Sequence, residues 1–354
     1  MSSDSTGKES RNLVVFLDGT RNEPETGTTN VARAFHLTEK NDQQIVFYAP
    51  GVGTIGSHSA LTNAGKVATK LAGLVGGYGV RQNIEDAYRF LVANYRQGDR
   101  LYFFGFSRGA YTARALTGML RTVGLLRPEV QNMTPYALKL YLKSGPGKGA
   151  DENFWRIRRE FSNHFGNPGF PRAADGSHPQ VRFLGVWDTV KSIGSLTWRA
   201  QIQQVRWPFT ASLPNVRYAR HAMAIHERRR SYTLYRFRPK NGSKFEDQYR
   251  EMWFAGTHGD IGGVFSEDRG LSDVALAWII TEAAHAGLQV SSRRYKALLD
   301  HEIFADIPED VSLGEIHRAS RYWWLLGGWK ERQPAPTDLL HPLARLRLAQ
   351  GKTP

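Results

Sequence analysis

The chain has 354 residues, 41% of them hydrophobic and 23% charged, a length and balance that suit one large α/β domain or two smaller ones with an ordinary buried core. It holds no cysteine, which excludes disulfides, a thiol nucleophile and cysteine-ligated zinc. A formal charge of +14 is compatible with nucleic acid or anionic lipid as a partner, but the 47 Lys and Arg are spread along the chain, which equally fits a generally basic surface.

Residues 1–10 are small and polar and read as a disordered lead; they lack the apolar centre of a signal peptide. No run of about 18 apolar residues predicts a membrane span, so the chain is expected to be made in the cytoplasm, with export by a route that reads no N-terminal signal left open. Short apolar runs at Leu13–Leu17, Gln44–Tyr48 and Leu101–Gly105 predict strands. Between the last two, Ile84, Ala87, Tyr88, Leu91 and Val92 recur at three- and four-residue steps and predict a helix ended by Gly98-Asp99. Strands alternating with helices argue for parallel βαβ units. Residues 128–180, rich in Pro, Gly and aromatics, read as a cap-like insertion, helical around Met133–Leu142 and Asn153–Phe165. Val181–Val186 is a strand again, Val216–Glu227 reads as a helix, Ser231–Phe237 and Tyr249–Ala255 as strands, and Leu271–Gly287 as an amphipathic helix. The main α/β domain is accordingly expected over 11–290, with a Trp-rich C-terminal extension packing on it over 291–354 and ending in a basic tail.

The most specific signal is "LYFFGFSRGAYTARALTGML", residues 101–120. Gly105-Phe106-Ser107-Arg108-Gly109 is G-x-S-x-G, preceded by a strand and followed by good helix formers, which is the context of a nucleophile elbow. Ser107 is the expected nucleophile and the Arg108 amide an expected oxyanion donor. A serine nucleophile needs a base and an orienting carboxylate, in the chain order Ser, acid, His when the fold is an α/β-hydrolase. Asp188 at the end of "VRFLGVWD" and His258 in "MWFAGTHGDIGG" follow later strands in that order. Asp260 is a rival acid, better placed to support its own loop.

"FLDGTRN" ends the first strand at Asp18. The segment resembles the D-x-D-G-T motif of haloacid-dehalogenase-type phosphatases, but Phe16 stands where their nucleophile would be. Counting strands back from the elbow instead places this loop where α/β-hydrolases supply the other oxyanion amide, at Gly19 or Thr20, with the Asp18 side chain fixing the loop. A plain turn is the competing reading.

The blocks "FLDGTRN", "YAPGVGT", "ANYRQGDRLYFFGFSRGAYTARALTGML", "FLGVWDTV", "RHAMAIHERR" and "MWFAGTHGDIGGVFSEDRGLSDVALAWI" together resemble a family of uncharacterised α/β-hydrolases that includes the catalytic domains of type VI secretion phospholipase effectors of the first lipase class. The sequence departs from it at Gly262-Gly263-Val264-Phe265, where many members look like Gly-Gly-Gly-Tyr. The resemblance implies an α/β-hydrolase fold, phospholipase A activity on glycerophospholipids, and Ser107, Asp188 and His258 as the triad. It also implies a possible secretion-system or immunity partner.

The expected chemistry is ester hydrolysis by acyl transfer, with no cofactor and no metal. His258, Asp260, His221 and His226 lack a metal-ligand spacing such as H-E-x-x-H. Phe154, Trp155 and Phe161, or Trp323 and Trp324, are candidates to line an acyl pocket. "RHAMAIHERRR", residues 220–230, is either a solvated helix face or a contact to lipid headgroups. No nucleic-acid-reading motif appears. The alternatives are a general carboxylesterase on small soluble esters and, further off, a non-catalytic binding module on a hydrolase scaffold.

Overall fold

A computed structural model describes residues 10–19, 28–51, 77–143, 152–172, 178–190, 207–239, 245–308, 314–317 and 328–350. The strands are β1 (Asn12–Leu17), β2 (Gln44–Ala49), β3 (Arg100–Phe106), β4 (Val181–Trp187), β5 (Val216–Ala224), β6 (Tyr249–Phe254) and the two-residue β7 (Leu339–Leu340). They form one sheet in the order β2-β1-β3-β4-β5-β6-β7, with every neighbouring pair parallel. The elbow strand β3 lies near the centre, beside β1, as the strand count requires.

Alternation along β1 divides the core into two layers. Leu13, Val15 and Leu17 face α2 (Gly77–Asn94) and α3 (Arg108–Val123), where Ile84, Tyr88, Leu116 and Met119 are fully buried. Val14 and Phe16 face α1 (Asn30–Leu37) and, after the insertion helices α4 (Thr134–Leu142) and α5 (Glu152–Phe165) and the short α6 (His258–Gly262), the helix α7 (Gly270–His285). A sheet covered on both faces explains why its strands read as continuous apolar runs rather than alternating ones. The last helices are α8 (Ser292–Leu299) and α9 (Pro342–Ala349).

Three expectations fail in one region. Val216–Ala224 is strand β5, not a helix. Arg220 and His221 on this strand are buried and satisfied, Arg220 by ion pairs with Asp247 and Glu282 and His221 by a hydrogen bond with Glu251. Charged residues on a central strand imitate the polar face of an amphipathic helix. The same finding overturns the solvated helix face over 220–230. Arg229 is paired with Glu227 and Arg228 with Glu331. Residues 231–237 carry only an isolated bridge, Leu234 to Val190, in place of a strand.

The described part of the insertion is a 3-10 turn at Pro128–Met133 followed by α4 and α5. Trp155 and Phe154 pack with Phe209, and the Arg121 guanidinium lies over Trp155 and Phe209. Phe161 packs with Tyr136 and Phe165. Arg121 is about 20 Å along α3 from Ser107 at 1.5 Å per residue. These rings therefore brace the far half of that helix. Trp323 and Trp324 lie outside the described residues. Among the described residues no helix is long and apolar enough to cross a membrane.

Candidate active site

The site forms where β3, β4 and β6 end. At the end of β3 the chain turns sharply into α3, and Ser107 takes φ 57° and ψ −118°, outside the regions open to ordinary L-residues. Both elbow glycines are required by close approach. A β-carbon on Gly105 would stand 2.6 Å from the Gly109 carbonyl oxygen, and one on Gly109 would stand 2.0 Å from the Leu17 oxygen and 2.6 Å from that of Asp18. The start of α3 is thus pressed against the end of β1. Arg108 opens α3, so its amide is at the helix's N-terminal end, where partial positive charge collects.

The His258 Nε2 lies 2.9 Å from the Ser107 Oγ, and its Nδ1 lies 2.6 Å from the Asp188 Oδ2. An ionised carboxylate only accepts, so Nδ1 carries the proton and Nε2 is left to accept from the serine hydroxyl. The three side chains are nearly or wholly buried. The imidazole packs against the rings of Phe106 and Tyr232, with centroids 4.7 and 4.8 Å away.

Burial alone would push the Asp188 carboxyl up. The Arg332 guanidinium and the His258 ring overcome this and hold it well below the usual carboxylate range. Arg332 Nη1 donates to Oδ1 at 2.6 Å and Nη2 to Oδ2 at 3.1 Å, while the Ala224 amide donates to Oδ1 at 3.0 Å. Beside this group the His258 amide donates to Glu227 Oε2 at 3.2 Å. Burial would raise the Glu227 carboxyl, but Arg229 brings it below its ordinary value.

Asp260 does not reach the imidazole through its carboxylate. Its Oδ2 accepts from the amide and hydroxyl of Thr257, closing a capping box at the start of α6, and its Oδ1 meets His317 Nδ1 at 2.6 Å. His221 sits under Asp188, accepting from the Thr189 amide through Nε2. His226 accepts from the Gly256 amide.

The Asp18 carboxylate is buried at the end of β1. It accepts from the Gly19 amide at 2.6 Å, the Thr29 hydroxyl at 2.5 Å and the Tyr48 hydroxyl at 2.7 Å. It therefore ties the loop to the start of α1 and to β2. The Gly19 N–H, one of the two expected oxyanion donors, is turned onto the Asp18 carboxylate in this structure. Thr20, the other expected donor, lies outside the described residues.

Sequence reasoning missed Arg332, Glu227 and Tyr232. Glu227 and Tyr232 belong to the segment misread as helix and strand. Arg332 is 144 residues from Asp188 and lies in no motif.

An α/β sheet with Ser, His and Asp hydrogen-bonded in sequence at its strand ends has the geometry of a hydrolase triad. The chain belongs to the family described as the type VI secretion phospholipase effector Tle1-like catalytic domain, which it matches over residues 11–282. It is 30% identical over 238 residues to an uncharacterized protein of Saccharomyces cerevisiae; the match covers 65% of this chain and 33% of that protein. The chain thus spans about a third of the length of this curated relative. Two solved structures are more distant in sequence. An uncharacterized protein from Pseudomonas aeruginosa is 18% identical, with a TM-score of 0.44, covering 81% of this chain and 47% of that one. The Tle1 effector bound to the VgrG spike of the type VI secretion system is 19% identical, with a TM-score of 0.30, covering 72% and 51%.

Proposed function

We propose that the protein is a serine hydrolase that cleaves carboxylic esters by acyl transfer, acting as a phospholipase A on glycerophospholipids. The observation that carries this reading is the unbroken chain of hydrogen bonds from Ser107 Oγ through His258 to Asp188. Family membership supports the lipid substrate. It also supports a role as an effector delivered through a type VI secretion apparatus, with a secretion-system or immunity protein as partner.

In this mechanism Ser107 Oγ attacks the ester carbonyl while His258 Nε2 takes its proton, forming a tetrahedral oxyanion. The Arg108 amide, with Gly19 or Thr20 as the donor from the β1 loop, stabilises that oxyanion. Losing one such donor costs about 10²–10³ in rate. His258 then returns the proton to the leaving alcohol, and water repeats the sequence on the acyl-enzyme. Asp188 holds the tautomer and stabilises the imidazolium.

The test is hydrolysis of phospholipid vesicles followed by mass spectrometry, beside turnover of short-chain nitrophenyl esters. The proposal expects release of fatty acid and lysophospholipid by the wild type and none by Ser107→Ala. Turnover of the short esters with intact vesicles points to a general carboxylesterase, and equal lipid release by both proteins removes the mechanism.

A further inference from the structure

Arg332 lies beyond residue 282, where the family match ends, on a segment that returns to the site from the C-terminal side. Backbone bonds fix that segment against the chain after β5: the Arg230 amide donates to the Gly328 oxygen at 3.2 Å and the Lys330 amide to the Arg228 oxygen at 2.6 Å. Six residues after Arg332, Asp338 accepts from both Arg236 terminal nitrogens and from the Trp253 indole, and Leu339–Leu340 then adds β7 to the sheet. The guanidinium is thereby delivered to a wholly buried carboxylate, with only 9% of its own side chain exposed.

The contacts form a fork with four arms. Nη1 donates to Asp188 Oδ1 and to the Ala224 oxygen at 3.0 Å; Nη2 donates to Asp188 Oδ2 and to the Tyr232 oxygen at 2.7 Å. Together with the Ala224 amide and His258 Nδ1, the two guanidinium bonds give each carboxylate oxygen two donors, which fills its lone-pair sites. A carboxylate held this way has no freedom to turn Oδ2 away from the imidazole. The same guanidinium fixes the backbone of Tyr232, whose ring packs against His258.

We propose that Arg332 is a positioning residue of the active site: its planar fork locks the Asp188 carboxylate toward His258, so the C-terminal segment is part of the catalytic apparatus. The proposal rests on the reading of Ser107, His258 and Asp188 as a triad. A lysine cannot replace it, because one ammonium does not reproduce a bidentate fork. The guanidinium also holds the Asp188 carboxylate ionised against its burial. Other titratable and charged groups around Asp188 and His258 are Glu227 with Arg229 after β5, Asp260 with His317 beside α6, and Glu251 with its hydrogen-bonded partner His221. All of these are retained when Arg332 is changed, so a shift of the acid limb reports on Arg332.

The experiment measures kcat/KM against pH on a nitrophenyl ester, and the rate of fluorophosphonate labelling, for the wild type, Arg332→Gln, Arg332→Lys and Arg332→Ala, with Ser107→Ala as the blank. Arg332→Gln is expected to lose at least about tenfold in kcat/KM, short of the about 10⁴-fold typical when a triad acid is neutralised, and to move the acid limb to higher pH. Millimolar guanidinium restores part of the rate to Arg332→Ala while leaving the wild type unchanged. A purely structural residue gives neither the shift nor the rescue. A folded Arg332→Gln with wild-type rate and an unmoved acid limb overturns the proposal. So does an Arg332→Ala that guanidinium leaves inactive, or an Arg332→Lys that cannot fold, since the residue then serves the fold rather than the acid. A wild type that neither labels nor turns over removes the triad reading and this proposal with it; a reactive wild type beside unaffected Arg332 variants removes this proposal alone.

Discussion

Gly109→Ala adds one methyl at the place where α3 meets the end of β1. The new carbon would stand 2.0 Å from the Leu17 oxygen and 2.6 Å from the Asp18 oxygen. Both obstacles are backbone, so no side chain can swing aside, and an ordinary carbon–oxygen contact requires the helix to retreat by about 1 Å or more. Overpacking of this kind costs about 1–3 kcal/mol, and rigid obstacles on both atoms place this case at the upper end. The retreat also separates Ser107 and the Arg108 amide from the Asp18–Gly19 loop. A misplacement of about 1 Å typically costs on the order of 10² in rate. Thermal unfolding and ester turnover measured on one preparation test both effects: Tm is expected to fall by about 4 °C and kcat/KM by about 100-fold. A Gly109→Ala protein with unchanged Tm and rate would refute the close packing of the elbow against β1.

Asp18→Ala leaves the Gly19 amide and the Thr29 and Tyr48 hydroxyls without their shared acceptor. It should cost about 1–3 kcal/mol in a urea titration but at least about tenfold in turnover, because the loop is freed; an unchanged rate reduces the segment to a plain turn. Asp188→Asn is expected to lose about 10⁴ in kcat, whereas Asp260→Asn, which keeps an acceptor for Thr257, loses about tenfold at most; the reverse ranking in a steady-state assay reassigns the acid. Burial holds His226 and His341 down at about 4, with Arg347 and Arg228 adding to the effect at His226. The unfolded chain therefore binds protons first as pH falls from about 6.5 to about 4, and stability declines across that window, on the order of 1–3 kcal/mol per ring. Urea midpoints between pH 7 and pH 4 check this, and His226→Asn, which retains an acceptor for the Gly256 amide, should flatten part of the slope.

What the sequence disclosed depended on how local each signal was. The elbow was legible because Gly105, Ser107 and Gly109 stand close together in sequence and their spacing answers a backbone demand: a β-carbon at either glycine would collide with neighbouring backbone. Asp188 and His258, which the structure brings together with Ser107, could be singled out because each directly follows a strand-like run and the expected order fixes which must be which. β5 was misread because Arg220 and His221 lie inside the molecule, Arg220 ion-paired with Asp247 and Glu282 and His221 hydrogen-bonded to Glu251, and such buried polar residues leave a strand looking like the wet side of a helix. The bond from the Gly19 amide back to the preceding side chain is one that no pattern records. Arg332 was invisible for a different reason: its contact with Asp188 joins segments 144 residues apart, and only the return of the chain through β7 brings them together.

The central claim, that Ser107 is the nucleophile activated by His258 and Asp188, is tested most directly by mapping the site of covalent attack with a fluorophosphonate probe. The account predicts one phosphonylated residue, Ser107, in the wild type, with no adduct in Ser107→Ala and strongly slowed labelling in His258→Ala. A folded wild type that takes up no probe, or an adduct that persists in Ser107→Ala, would contradict it.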